Sequence, residues 1–195
     1  MSVFRLITAV LVALGMLSLA THAEAQLAAA ADVNVATPLD QDALYHHVGV
    51  FGRFGYRTGL GHASLIHTII FQPEVVAGFT QLPQLLPVLE HRNEVRGGGG
   101  LRIGCVCGLL HELSNHTVTA EPFAFAHAYL AYAVDSGSFA NPAFLFDVGA
   151  ALDIRMDFLR DWSLGVHGSY DRLRHDGPHD WAELGLHAEY RWFAD

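Results

Sequence analysis

Apolar and polar side chains alternate with a period of two through the last quarter of the chain, and few folds can accommodate that pattern. Phe144, Phe146, Val148, Ala150, Leu152, Ile154 and Met156 share one face of an extended segment, opposite Asp147, Gly149, Ala151, Asp153 and Arg155. After the tight turn Asp157–Asp161, Trp162, Leu164, Val166, Gly168 and Tyr170 oppose Ser163, Gly165, His167, Ser169 and Asp171. Beyond a polar loop at Leu173–Asp180, Ala182, Leu184, Leu186, Ala188, Tyr190 and Trp192 oppose Glu183, Gly185, His187, Glu189 and Arg191. Side chains alternate across a strand but not around a helix, so these runs are strands. At roughly 10–13 residues they are about twice the usual globular strand. They match the ~9–11 tilted residues that cross a bilayer.

Upstream the pattern is coarser. Val48, Val50, Gly52, Phe54 and Tyr56 alternate with a face bearing Arg53 and Arg57. Leu101, Ile103, Cys105, Cys107 and Leu109 oppose Arg102, Gly104, Val106 and Gly108. Thr117–Val134 reads as a strand apolar on both faces, and His62–Gln72 is β-rich. Residues 73–98 carry Pro73, Pro83 and Pro87 and the weakest pattern, running into a glycine loop at Gly97–Gly100; an even strand count requires one strand here. Residues 26–43 are Ala-rich without a clear period and read as a flexible N-terminal lead, so the barrel domain is expected over 44–195.

Residues 1–25 read as a secretory signal peptide: Arg5, an apolar run from Leu6 to Ala20, and Ala23-Glu24-Ala25 as a small-x-small cleavage site. No later segment is apolar enough for a spanning helix. The net charge is −9, which excludes a nucleic-acid partner because that calls for a basic patch. Only 16% of residues are charged and 51% are hydrophobic, apolar for an exported soluble domain. The two cysteines form C-x-C, which is neither a C-x-x-C redox motif nor a zinc ligand set.

Period two does not say which face is inside. Three features favour apolar outside and polar inside. The polar faces mix opposite charges with glycines, as a packed lumen requires. Tyr56, Tyr132, Trp162, Tyr170, Tyr190 and Trp192 cluster toward strand ends, as interfacial girdles do. Connections alternate between short and long, as periplasmic turns and external loops do. The expected fold is therefore all-β: an antiparallel transmembrane β-barrel of about eight strands, preceded by a signal peptide.

The ending Leu184-Gly-Leu-His-Ala-Glu-Tyr190-Arg-Trp192-Phe193 resembles the C-terminal assembly signal of bacterial outer-membrane proteins, with Tyr190, Trp192 and Phe193 in its aromatic positions. It departs from that pattern in continuing to Ala194 and Asp195. The resemblance is to small OmpA/OmpX-like barrels. It implies residence in the outer membrane of a Gram-negative bacterium, contact with outer-membrane lipid, and handling by the barrel-assembly machinery. It leaves the oligomeric state open. Fold does not fix function here, and three readings stand: a non-enzymatic barrel with a structural, adhesive or minor pore role; a lipid A-modifying hydrolase on the same barrel; and a soluble exported small-ligand binder.

The candidate site is the polar face taken together: Arg53 and Arg57, then Arg102, His127, Asp147, Asp153 and Arg155, then His167, Asp171, Glu183, His187, Glu189 and Arg191. Eight strands leave an interior just filled by side chains, so a plug is expected rather than a channel. No metal, cofactor or catalytic residue is expected. His111-Glu-Leu-Ser-Asn-His116 has its histidines at i and i+5, whereas the zinc-protease helix needs i and i+4. The same segment weakly resembles the His-x-Ser-Asn neighbourhood of outer-membrane lipid A deacylases. It has one residue too many between His111 and Ser114, and no acid stands at a matching position, Glu121 being a candidate only by proximity in sequence.

Overall fold

The computed structural model describes residues 26–39, 47–60, 66–81, 93–135, 138–139, 143–174 and 178–193. The signal peptide expected at 1–25 lies outside the described residues. Eight long strands make the fold: β1 (Gln26–Pro38), β2 (His47–Leu60), β3 (Ile66–Gln81), β4 (Asn93–Cys107), β5 (Val118–Asp135), β6 (Ala143–Met156), β7 (Trp162–Arg174) and β8 (Pro178–Phe193). Each pairs antiparallel with its neighbour in sequence, and β8 returns to β1 in a ladder from Gln26↔Phe193 to Pro38↔Trp181. The ring closes, so no barrel strand is left with an open edge. A two-residue strand, Ser138–Phe139, folds back on Val134 and Asp135.

The polarity is inverted relative to a soluble barrel. Outward-facing Val75, Val166, Leu184 and Leu186 are 61%, 52%, 72% and 65% exposed. Inward-facing Glu121, Asp153 and Glu189 are 0% exposed, and Arg102 is among the largest fully buried side chains. Two small apolar clusters share the interior: Phe51, Val76, Tyr129 and Leu145 in one, and Ile70, Phe123 and Ala151 in the other.

Four sequence expectations are corrected. Residues 26–38 are not a flexible lead but strand β1, paired on both sides. Ala28, Asp32, Asn34 and Ala36 are buried while Val33 and Val35 are exposed. The alternation is present but written largely in alanine, whose side chain offers little contrast between faces. The glycine run Gly97–Gly100 is not a loop; it lies within β4. A Cβ at Gly98 or Gly100 would overlap the carbonyl oxygens of Ala128 and Ala126 on β5, so these two strands approach too closely there for a side chain.

The described residues of the stretch 73–98 belong to the two neighbouring strands and form no separate one. β3 runs through Pro73 to Gln81, and β4 starts at Asn93. Proline lacks a donor and normally breaks a ladder. Here the β3–β4 pairing keeps Pro73↔Leu101, whereas the β2–β3 pairing skips from Gly55↔Glu74 to Thr58↔Phe71. Pro122 on β5 is accommodated the same way: it pairs with Leu152 on β6, and the β4–β5 ladder is interrupted beside it. Finally, connection lengths do not sort cleanly by end. Residues 108–117 join β4 to β5 at the end bearing the termini and include a short helix, α1 (Gly108–Leu113), whereas only residues 175–177 separate β7 from β8 at the other end. Polar residues there still pair, so those strands extend beyond the alternation that marks them in the sequence.

Candidate functional site: the charged lumen

Because side chains alternate strictly along each strand, every second residue of eight strands is delivered to one narrow interior. Twelve of the thirteen expected site residues are buried or nearly so on that inner face; the exception is Arg155, which is half-buried near the terminal end of β6. The structure adds residues the sequence reading missed: Asp32 and Asn34 on β1, Gln72 and Glu74 on β3, Glu94 and Arg96 on β4, and Tyr129 on β5, all buried. Glu121, weighed only as a catalytic acid, also belongs here. The signal for the others was the same period two, since Asp32 and Asn34 alternate with Val33 and Val35, and Glu94 and Arg96 flank Val95.

Toward the end bearing the termini, three guanidiniums face three carboxylates. Glu121 accepts from Arg57 at 2.9 Å and from Arg191 at 2.8 Å. Glu189 accepts from Arg191 Nε at 2.7 Å, Arg102 at 3.2 Å and Gln72 at 3.1 Å. Asp153 accepts from Arg102 Nη2 at 3.1 and 3.3 Å. The Arg102 guanidinium also lies 4.2 Å from the Phe123 ring centroid, a cation–π contact. These are the planar, charge-assisted pairings for which arginine is suited.

The other half is built differently. Among its buried, described residues Arg53 and Arg96 face Asp32, Glu74, Glu94, Asp147, Asp171 and Glu183. Arg53 Nε donates to Asp32 at 2.9 and 3.1 Å, and its Nη1 reaches Glu74 at 3.1 Å. His127 bridges two acids, with Nε2 at 2.7 Å from Glu74 and Nδ1 at 2.9 Å from Asp147, an arrangement satisfied in full only by a doubly protonated ring. The Tyr129 hydroxyl donates to Asp147 at 2.9 Å. Arg96 lies 3.4 Å from Glu94 and 3.7 Å from Asp171, and Asn34 donates to Glu183. Between the halves, His187 Nε2 sits 2.8 Å from Asp153, and His187 Nδ1 is 3.3 Å from Nδ1 of His167. Gly165 makes room for this: a Cβ there would overlap His187 Nε2 and lie 2.7 Å from Asp153 Oδ1.

The packed side chains leave a cavity of about 40 Å³, space for one or two water molecules rather than a channel. Outside the lumen, the hydrolase constellation does not assemble. Ser114 Oγ lies 3.1 Å from the backbone carbonyl oxygens of His111 and Val118 and accepts from the Val118 N–H at 3.1 Å, and Glu121 is committed to its two arginines. The segment begins in the short helix α1, and left-handed residues Asn115 and His116 follow it. Cys105 and Cys107 are free thiols on the same face, each half-buried.

At the aromatic end of β8, Trp162 and Tyr190 lie 5.1 Å apart, Tyr190 and Trp192 5.7 Å, and Phe54 and Trp192 5.9 Å. They form one continuous ring patch across β2, β7 and β8 at the end where Gln26 and Phe193 pair. Phe193 ends β8 and pairs through its backbone with Gln26.

No protein-family model matches the sequence, and no curated protein does. Solved structures are similar in fold. Neisserial surface protein A superposes with a TM-score of 0.51 at 10% identity, over 86% of this chain and 96% of that one. The attachment invasion locus protein Ail of Yersinia pestis gives 0.44 at 13% identity, over 87% and 99%. The N-terminal barrel of Pseudomonas aeruginosa OprF gives 0.34 at 11%, over 84% and 97%. The fold is that of the small bacterial outer-membrane β-barrels.

Proposed function

We propose that this chain is a non-enzymatic outer-membrane protein, a lipid-embedded barrel with a structural or adhesive role and no stable conductance. The observation that carries the reading is the inverted polarity of a closed ring. An apolar band faces outward all round, and buried charges fill the centre. In water the exposed leucines and valines would form an apolar surface far larger than soluble monomers tolerate. In lipid the same surface is matched, and closure satisfies every strand edge where no water could. The aromatic patch at the terminal end suits the membrane interface.

Against a pore role stands the lumen, where charged side chains bond to one another across the whole section. Against a hydrolase role stands the geometry of Ser114 and Glu121. An adhesive role would rest on the four connections at the end away from the termini, which a periplasmic placement of the termini puts at the cell surface.

The test is twofold. The mature chain should fractionate with the outer membrane and shift on gels between boiled and unboiled samples. Reconstituted in planar bilayers, it should give no large, steady single-channel steps. Recovery in the soluble periplasm would remove the barrel reading, and steady large steps would remove the plugged lumen. At the lipid face, Leu186→Arg places a charge near the middle of β8 and should destabilise the folded barrel by about 2–4 kcal/mol in lipid.

A further inference from the structure

The half of the lumen away from the termini has more negative than positive charge built into it. Six buried carboxylates face two guanidiniums, and counting His127 as a cation still leaves three carboxylates over. Uncompensated buried charge is expensive, and it is relieved there either by protons held on the carboxylates or by a bound cation.

Within that half, three donor atoms converge from three strands. Asp32 Oδ1 (β1) lies 3.9 Å from Nδ1 of His167 (β7) and 3.9 Å from Nδ1 of His187 (β8), and the two ring nitrogens are 3.3 Å apart. The nearest point equidistant from three atoms so spaced lies in their plane, about 2.1–2.2 Å from each, within the ±0.2 Å tolerance on the ~2.0–2.1 Å expected for imidazole and carboxylate on zinc.

The hydrogen-bond network prepares these atoms as ligands. His187 Nε2 is held by Asp153 at 2.8 Å, which places its proton on Nε2 and leaves the Nδ1 lone pair facing Asp32 and His167. A carboxylate behind the distal ring nitrogen is the usual outer support of a metal-binding histidine. Asp32 is oriented by Arg53 Nε at 2.9 and 3.1 Å.

The three ligands border the 40 Å³ cavity, which has room for water in the remaining coordination positions. Asn34 lines the same cavity at 6% exposure, and its Oδ1 has no hydrogen-bond partner among the described residues.

We propose that Asp32, His167 and His187 bind a divalent transition-metal cation of the zinc class inside the barrel. Two imidazoles and one carboxylate suit zinc and its first-row neighbours, whereas calcium and magnesium take oxygen ligands. The bound ion supplies the missing positive charge and ties β1, β7 and β8 together beside the seam where the ring closes.

The experiment is to refold the mature barrel in detergent with zinc chloride, remove unbound metal and measure zinc per chain. Cobalt substitution then reports coordination through visible absorption. The expected result is one zinc per folded chain, with binding at least about tenfold weaker in His167→Gln and in Asp32→Asn. His167 makes only long contacts to carboxylates, so its replacement should leave folding intact by the gel-shift criterion. Asp153→Asn should weaken binding by about 10- to 100-fold through His187. The double variants His111→Ala with His116→Ala, and Cys105→Ser with Cys107→Ser, should bind as the parent does. The proposal is overturned if the folded barrel retains no zinc. It is equally overturned if retention survives His167→Gln combined with Asp32→Asn, or disappears with the His111 and His116 pair or the cysteine pair.

Discussion

The two halves of the lumen hold charge in opposite ways. Near the termini, Arg57, Arg102 and Arg191 balance Glu121, Asp153 and Glu189 one for one through short, multiply bonded contacts. Away from them, Arg53 and Arg96 face six carboxylates, and three histidines supply the remaining partners. In the first half each buried carboxylate bonds a permanently charged guanidinium. The second reaches neutrality through imidazoles, through protons held on its carboxylates or through a bound cation. A buried pair contributes little net stability compared with apolar packing, yet removing one partner is severe. The difference between the halves is therefore best exposed by deletion.

The largest effect is expected at Arg102. It serves both Asp153 and Glu189 and stacks on Phe123. Arg102→Ala takes one guanidinium partner from each of two buried carboxylates and should lower stability by about 3–5 kcal/mol in urea unfolding of the barrel in lipid vesicles. A loss below about 1 kcal/mol would mean the terminal half is not a closed ion network.

A sharper contrast comes from neutralising one acid in each half. Asp153→Asn removes the partner of Arg102 and of His187 and should destabilise by about 2–3 kcal/mol. Asp171→Asn removes one of several neighbouring carboxylates, which has a 3.7 Å contact to Arg96 and a hydroxyl donor, Ser169, at 2.8 Å. It should be neutral, or stabilise by up to about 1 kcal/mol, because like-charge repulsion is relieved. Equal losses at the two positions would erase the distinction.

Assembly should also begin at the terminal end, where β8 meets β1 and the aromatic patch lies. Tyr190→Ala with Trp192→Ala should slow formation of the folded, heat-modifiable form several-fold, while Glu189→Gln alters stability more than rate. Assembly of the double aromatic variant at the parental rate would detach the patch from assembly. The smallest effect is expected outside the lumen: Arg172 and Asp180 form a part-exposed pair at 3.7 Å, and Arg172→Ala should change stability by less than about 1 kcal/mol.

Legibility in the sequence followed contrast between faces. Where leucine or valine alternates with charge, as along β6, β7 and β8, strands and inward faces were readable residue by residue. Where alanine or glycine occupies a face, as in β1 and at Gly97–Gly100, the same alternation was present without contrast, and strands read as a lead and a loop. Pro73 read as a break because a proline normally ends a ladder. It is tolerated because only the β2 side loses pairing there. Asp32, Glu74 and Arg96 were missed for these local reasons, not because their positions break the pattern.

The sequence alone determined the strand period, the long strands, and a division of residues into an apolar and a charged face. Those are properties of each strand by itself, fixed by side chains that alternate at every residue. Only the tertiary structure decided that the ring closes through β1 and that Asp32, His167 and His187 meet from three strands. Such partners are set by register and by the curvature of the closed sheet, which bring residues far apart in the chain to one level of one narrow interior. No local pattern carries that information, because it depends on all eight strands at once.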